Sequence, residues 1–319
     1  MNIDSSKLSL DEAMAIFDYR NEKNFYYSDV NFLRSVARGI IIDETVKKPL
    51  FESWASKKIV GIEVDGKHHY FILRYLDWDS DYFKIPTYKL EMVLFKHTNQ
   101  EILNTAAEFF VKDHLKKGDY CFSCIPSEDT MVLQALNSSR FSLIETRLTY
   151  YGSNLSEFEH ARYKTRIAEH ADIPNLKEIS ASMVNEYDRV HADPAINNKK
   201  ADEFLSTYIE QSIKGFSDVV IVPDESEAPS DAFLTANYMT GLWEKLNCNV
   251  SQMVLSAVSS KTCKGWYKKL IIEMTYLLRD KGSEYVFFHP ASTNRAVIHT
   301  YESLGFKFGQ AAHILSIKK

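Results

Sequence analysis

The chain is short of cysteine, of net positive charge and of long apolar runs, and each shortage excludes something. Its 319 residues contain four cysteines, Cys121, Cys124, Cys248 and Cys263. Cys121 and Cys124 have C-x-x-C spacing, but Tyr120-Cys-Phe-Ser-Cys-Ile125 reads as a strand. Strand side chains three apart leave opposite faces and do not easily share a metal. Buried, reduced thiols are therefore expected, with no metal site and no disulfide. The formal net charge of −5 argues against general nucleic-acid binding, which needs a basic face, and leaves room for a local basic pocket that holds a phosphorylated ligand. No apolar run approaches the roughly 20 residues of a bilayer-crossing helix. Met1-Asn-Ile-Asp-Ser-Ser-Lys-Leu8 has neither the basic nor the apolar region of a signal peptide. A cytoplasmic protein with no membrane or nucleic-acid partner is expected, and a homodimeric assembly is left open.

What is present is core material. Hydrophobic residues make up 45% and aromatics 13% of the chain, and the length exceeds the usual single domain, so two domains or half-domains are expected. Residues 1–57 look helical and polar, an extension packed on the main body. From Lys58 strands begin, with a hairpin signal at Asp65-Gly66 between Ile59-Val-Gly-Ile-Glu-Val64 and His69-Tyr-Phe-Ile-Leu-Arg74. Tyr75 to Pro86 reads as an ordered loop. A strand to Phe95, a helix over 99–116, strand 120–125, helix 128–136 and strand 142–150 complete a half over 58–160.

The polar stretch Ser153 to Tyr163 marks the boundary, and a second half runs over 161–319. Asp172, two residues before Pro174, is a plausible N-cap for a helix burying Ile173, Leu176, Ile179 and Met183. Arg189, His191 and Asp193 alternate along an apparently extended segment and would share one face. They form either a solvated loop with a local salt bridge or a wall facing the substrate. A helix over 199–214 ends at Gly215, strand 218–222 follows, and 232–238, 239–244 and 251–258 read as further strands. The succession of strand, helix, strand, helix, strand occurs in both halves, a weak internal repeat.

The most informative stretch is Val254 to Phe308. Val254-Leu-Ser-Ala-Val258 is an apolar strand, Lys264-Gly265 a turn, and Trp266, Leu270, Met274 and Leu277 one face of a helix. Tyr285-Val-Phe-Phe288 is a buried strand, and Asn294 opens a last helix with Val297, Tyr301 and Leu304 on one face. A strand, a glycine turn and a helix N-terminus put free N–H groups and the positive helix end at one point, which suits phosphate. The first half lacks a Lys-Gly turn, so a cofactor site is expected in the second half only.

These residues resemble the GCN5-related N-acetyltransferase (GNAT) superfamily. The resemblance rests on Val254–Val258, on Lys264-Gly265-Trp266-Tyr267-Lys-Lys-Leu270, and on Asn294 through Tyr301 to Gly305-Phe306. From Leu76 onward the order of Leu76-Asp-Trp-Asp-Ser-Asp-Tyr-Phe83, Arg140-Phe-Ser-Leu-Ile-Glu145, Asp172-Ile-Pro174 and Arg189-Val-His-Ala-Asp193 is similar to the TDP-fucosamine acetyltransferase group. Enzymes of that group acetylate the amine of a nucleotide-linked 4-amino-4,6-dideoxyhexose. The resemblance implies an α/β fold (α+β) of two GNAT-like halves, each a mixed, mostly antiparallel twisted sheet flanked by helices, with acetyl-CoA as cofactor. Leu255, Ala257 and Val258 would offer backbone groups to the pantetheine arm. Lys264, Gly265, Trp266, Tyr267 and Lys268 would cradle the pyrophosphate. Asn294 would hydrogen-bond near the arm, and Tyr301 would protonate the departing thiolate. Arg189, His191 and Asp193 would face the substrate.

Two positions depart from the family pattern. Thr262 stands where Arg or Gln is usual, and Tyr267 where Gly or Ala lets phosphates approach the backbone. The Tyr267 side chain either points away from the turn or obstructs it. Chemically, the amine must be neutral, the oxyanion needs a donor such as a strand N–H near Val258, and the thiolate needs a proton. A tyrosine hydroxyl near ~10 is matched to a thiol near ~8.5; alone Tyr301 reads as a core aromatic, and the Asn294 and Gly305-Phe306 context turns the reading toward the acid. His191, Asp193 and Glu244 are undiscriminated candidates for a general base, beside a water relay. The expected activity is N-acetylation of a small amine, with a nucleotide-linked amino sugar first among acceptors. The alternatives are an amino acid, peptide terminus or polyamine as acceptor, or a catalytically silent acyl-CoA-binding or scaffolding protein.

Overall fold

Ser9 and Glu12 open the first long helix with a reciprocal capping box, each side chain bonding the other's backbone N–H, which satisfies donors that a helix start leaves open. The computed structural model describes residues 2–3, 9–52, 54–182, 188–226 and 229–319; Met183, expected in the core, lies outside them. Strand β1 (Asn2–Ile3) precedes α1 (Leu10–Tyr19), α2 (Asn21–Asn24), α3 (Arg38–Ile42) and α4 (Lys48–Glu52). Strands β2 (Lys58–Val64) and β3 (Lys67–Tyr75) form the expected hairpin, with Asp65 and Gly66 both at positive φ in its turn. The expected loop from Tyr75 to Pro86 is instead helical, α5 (Asp77–Phe83). Asp77 and Asp79 lie in its first turn, where carboxylates favour a helix start, and left-handed Lys84 ends it.

Next come β4 (Thr87–Phe95), α6 (Gln100–Phe109), β5 (Tyr120–Pro126), α7 (Thr130–Ser138) and β6 (Ser142–Gly152). The remainder is β7 (Thr165–Ile167), α8 (Ile173–Ser182), α9 (Asn198–Gln211), β8 (Val219–Pro223), β9 (Ala232–Asn237), α10 (Thr240–Leu246), β10 (Val250–Val258), α11 (Trp266–Asp280), β11 (Tyr285–Phe288), α12 (Arg295–Ser303) and β12 (Lys307–Lys318). Three local expectations change. Residues 239–244 are not a strand: left-handed Met239 and Asn247 bracket the short α10. Asp172 is not the N-cap before α8. Glu169 fills that place, and Asp172 accepts from the Glu169 N–H at 2.7 Å and from Arg166. Strand β12 has no counterpart in the sequence reading.

Contacts group the chain into two compact units, Met1–Arg147 with Ala192–Ala195 and Gln310–Lys319, and Leu148–His191 with Ile196–Gly309. These limits differ from the boundaries drawn at 57/58 and 160/161, because β6 and β12 carry chain from one unit into the other. In the first unit the strand order is β1-β2-β3-β4-β5-β12, with β4 and β5 parallel and the other neighbours antiparallel. In the second it is β6-β11-β10-β9-β8-β7, with β10 and β11 parallel and the other neighbours antiparallel. Each parallel pair needs a crossover, supplied by α6 and by α11. The architecture is therefore α/β with two related halves, each a mixed, mostly antiparallel sheet with helices.

In the first unit α6 lays Leu103, Ala106 and Ala107 on a core where Phe71 and Phe110 stack at 4.4 Å. In the second, Trp266, Leu270 and Met274 of α11 pack with Val286, Phe288, Tyr301 and Leu304. The first core also encloses a histidine pair. His69, fully buried, donates from Nδ1 to the Ile62 carbonyl at 3.2 Å, so its Nε2 accepts from His97 Nε2 at 2.7 Å. His97 Nδ1 in turn accepts the Asn99 N–H. Burial lowers the His69 pKa to about 4 from its ordinary 6.5, with His97 and His68 adding to the effect.

The unfolded imidazole binds a proton below about 6.5 while the folded one stays neutral almost to 4, so acid weakens the fold across that window. Stability is expected to fall by about 2 kcal/mol between pH 7 and pH 5 from this residue alone. Urea unfolding at both pH values measures it; His69→Gln should flatten the difference, and an undiminished pH dependence in that variant would refute the assignment.

Candidate active site

Strand β10 outlasts its parallel neighbour. It pairs with β11 only from Val250↔Tyr285 to Gln252↔Phe287, yet stays paired with β9 as far as Val258↔Ala232. The β9 register shifts between Met253 and Ser256, which bends the strand. From Met253 onward the edge of β10 that β11 had occupied is open, and backbone groups directed to that edge can pair with an extended ligand as a strand would. Ala257 and Val258 lie on this segment. The Leu255 N–H turns the other way, donating to Thr235 Oγ1 of β9 at 3.0 Å. Of the three predicted backbone contacts, that amide is already committed.

The strand leads to Gly265, left-handed at φ 86°, which starts the 15-residue α11. A left-handed start is the reason for glycine here. No side chain caps this helix, and Lys264, Gly265 and Lys268 are exposed. An uncapped N-terminus beside exposed lysines is what a phosphate requires. Trp266 is buried, its ring under the Lys269 ammonium. Thr262, at the position of the family's Arg or Gln, is tied to Asp231 Oδ2 at 2.5 Å and Ser259 Oγ at 2.8 Å. It braces the turn and brings no charge to it, while Asp231 adds a carboxylate nearby.

Tyr267 points inward. It packs on the core, and its hydroxyl lies 2.8 Å from that of Tyr301. Of the two alternatives for this side chain, the structure has it directed into the core, toward Tyr301. Tyr301 is buried, stacked on Phe288 and packed against Phe306. Burial pushes its hydroxyl well above the ordinary tyrosine range, so it is a neutral proton donor at rest. Burial also raises Tyr267, whose hydroxyl donates to that of Tyr301. Nearby Tyr150 bonds Glu302 at 2.8 Å and is raised to about 12, chiefly by burial. Asn294 caps α12, its side-chain oxygen accepting from Val297 N.

The predicted substrate wall is arranged differently from expectation. Residues 188–194 form turns rather than an extended strand. His191 is held at both ring nitrogens, by Asp188 at 2.8 Å and Asp202 at 3.0 Å, with its side chain 2% exposed. Arg189 is half-buried in the same turn. Asp193 belongs to the first unit, where it accepts from Tyr120 at 2.7 Å, Ser316 at 2.6 Å and the Ala195 N–H. Of the candidate bases, His191 and Asp193 are thus committed to internal partners, and Glu244 lies exposed on α10.

The first unit closes the corresponding places. Where β4 and β5 part after Lys89↔Phe122, Ser123 Oγ donates to the Leu90 carbonyl at 2.7 Å, stapling the strands together. Its crossover helix α6 is capped by Asn99. Among the described residues no group of acidic, histidine and cysteine side chains could hold a metal ion, and no helix is long and apolar enough to cross a membrane.

No protein-family profile matches the chain, and no curated protein matches it. Solved structures do. A GNAT-family acetyltransferase from Colwellia psychrerythraea is 13% identical with a TM-score of 0.50, covering 89% of this chain and 97% of its own. A GCN5-related N-acetyltransferase from Sphaerobacter thermophilus is 8% identical with a TM-score of 0.55, covering 95% and 93%. A GCN5-related glucosamine N-acetyltransferase region of a fungal multi-domain β-N-acetylglucosaminidase is 12% identical with a TM-score of 0.56, covering 99% of this chain and 38% of that one. The chain has the GNAT fold.

Asn294→Ala should cost about 1 kcal/mol through the lost cap, whereas Asn294→Asp, which keeps an acceptor, should cost much less. Chemical denaturation of both variants measures this. Equal losses would show that the cap is not what Asn294 contributes.

Proposed function

We propose that this protein is an acetyl-CoA-dependent N-acetyltransferase acting on a small amine, and that the acceptor is a nucleotide-linked amino sugar. The observation that carries the reading is the coincidence of an opened strand edge with an uncapped, lysine-flanked helix N-terminus in the second unit. Backbone groups of β10 around Ala257 and Val258 would pair with the pantetheine arm. The N–H groups of Gly265, Tyr267 and Lys268, with the Lys264 and Lys268 side chains, would hold the pyrophosphate; that of Trp266 already donates to the Cys263 carbonyl at 3.0 Å. Acetyl-CoA, when bound, supplies an activated acyl group. A β10 N–H near Val258 would stabilise the oxyanion. Tyr301, kept protonated by burial, would hand its proton to the leaving sulfur. The acceptor class rests on the sequence resemblance to the TDP-fucosamine acetyltransferase group. Arg189, the half-buried member of the predicted wall, is proposed as its contact with the substrate.

Free CoA at about a hundred times its Kd is expected to raise Tm by roughly 5 °C, and no shift at millimolar CoA would end the reading. Tyr301→Phe should lower kcat at least roughly 100-fold with CoA affinity unchanged. Thiol release against a panel of dTDP-linked amino sugars, glucosamine, amino acids and polyamines identifies the acceptor; CoA binding without turnover on any of them would favour a silent acyl-CoA-binding protein.

A further inference from the structure

Tyr267 replaces the small residue of the family pattern, and its inward side chain has an unusual hydroxyl environment. Ser256, on the opened part of β10, gives it a side-chain hydrogen bond. On the other side lies the Tyr301 hydroxyl at 2.8 Å, the two rings meeting edge to face at 6.0 Å and 78°. Three hydroxyls from three elements, β10, α11 and α12, thus meet through Tyr267, the contact with Tyr301 being the 2.8 Å one. Packing of the ring would be served equally by phenylalanine. The hydroxyl is what needs explaining, because a buried phenol oxygen costs free energy unless it is partnered.

We propose that Tyr267 is a positioning residue for Tyr301, its hydroxyl donating to the Tyr301 oxygen as that oxygen gives its proton to the departing thiolate. The inference rests on the acyl-transfer reading above. In the transfer, the N–C bond forms and the C–S bond breaks with its electron pair on sulfur. Sulfur takes the Tyr301 proton, and the proton shed by the acylated nitrogen restores the phenol. Between those events Tyr301 carries negative charge in a buried setting, stacked on Phe288, where a donor is worth most. With the polarity Ser256 to Tyr267 to Tyr301, each hydroxyl donates toward the residue that becomes charged, and Tyr301 is left with its own proton directed to sulfur.

CoA alone tests this, without an acceptor. The thiol of CoA bound to the full chain is titrated by its thiolate ultraviolet absorbance in wild type, Tyr267→Phe, Tyr301→Phe and the double variant. The wild-type complex should titrate below the free thiol value of about 8.5. Tyr301→Phe should abolish that downshift, and Tyr267→Phe should remove roughly half of it. Tyr267→Phe should add nothing when Tyr301 is already gone. A wild-type titration in Tyr267→Phe, with the downshift lost in Tyr301→Phe, overturns this inference and leaves the acyl-transfer reading intact. So does an equal effect of Tyr267→Phe in both backgrounds. Failure of CoA to bind, or no downshift in wild type, overturns both. If Tyr267→Phe does not fold, Ser256→Ala removes another of these hydroxyls. An unchanged titration there refutes the proposal.

Discussion

The site depends on a mismatch of strand lengths. A parallel pair holds only as far as both strands run together, and β11 stops pairing at Phe287 while β10 continues to Val258. Backbone donors and acceptors cannot be left unmet in a dry interior, so the uncovered edge must meet solvent or a ligand. The crossover then returns through Gly265 into a long helix whose first amides no side chain satisfies. Both features are deficits of hydrogen bonding, and they lie at consecutive points of one strand-turn-helix. The first unit has the same topology and removes both deficits, with Ser123 across the strand gap and Asn99 at the helix start. Two side-chain oxygens separate a closed half from an open one.

Much of this was legible in the sequence, for identifiable reasons. The hairpin at Asp65-Gly66 and the glycine start of α11 were readable because turn geometry restricts the residue type. The buried face of α11 was readable from its spacing, although Leu278 rather than Leu277 takes the fully buried place. Strand β12 escaped because its inward positions include Gln310 and Ser316. Both are paired, Gln310 with the Ser28 carbonyl and Ser316 with Asp193, so no apolar alternation marks the strand. Helices α5 and α10 escaped because aromatic residues beside polar ones resemble strand or loop, and left-handed residues at their ends carry no strong sequence signal in Lys84, Met239 or Asn247.

The candidate site was legible in its elements more than in its side chains. The strand, the glycine turn and the helix carrying Tyr301 are legible along the chain, but nothing in one sequence brings residues 34 apart into contact, as Tyr267 and Tyr301 are. The segment around Arg189, His191 and Asp193 alternates as an extended strand would. Asp188 bends it instead, accepting the backbone N–H groups of Val190 and His191, a local turn that competes with strand pairing.

One consequence concerns the order in which the protein can mature. Strand β5 belongs to the first part of the chain, yet Ala312 to Lys318 form its antiparallel neighbour. Synthesis runs from the N-terminus, so this edge of the first sheet stays unpaired until almost two hundred further residues have been made. A nascent chain would have to shield the Tyr120–Pro126 edge throughout that interval, since exposed strand edges recruit other strands. The first unit therefore closes its sheet only after the whole of the second has been made, however early its helices and hairpin form.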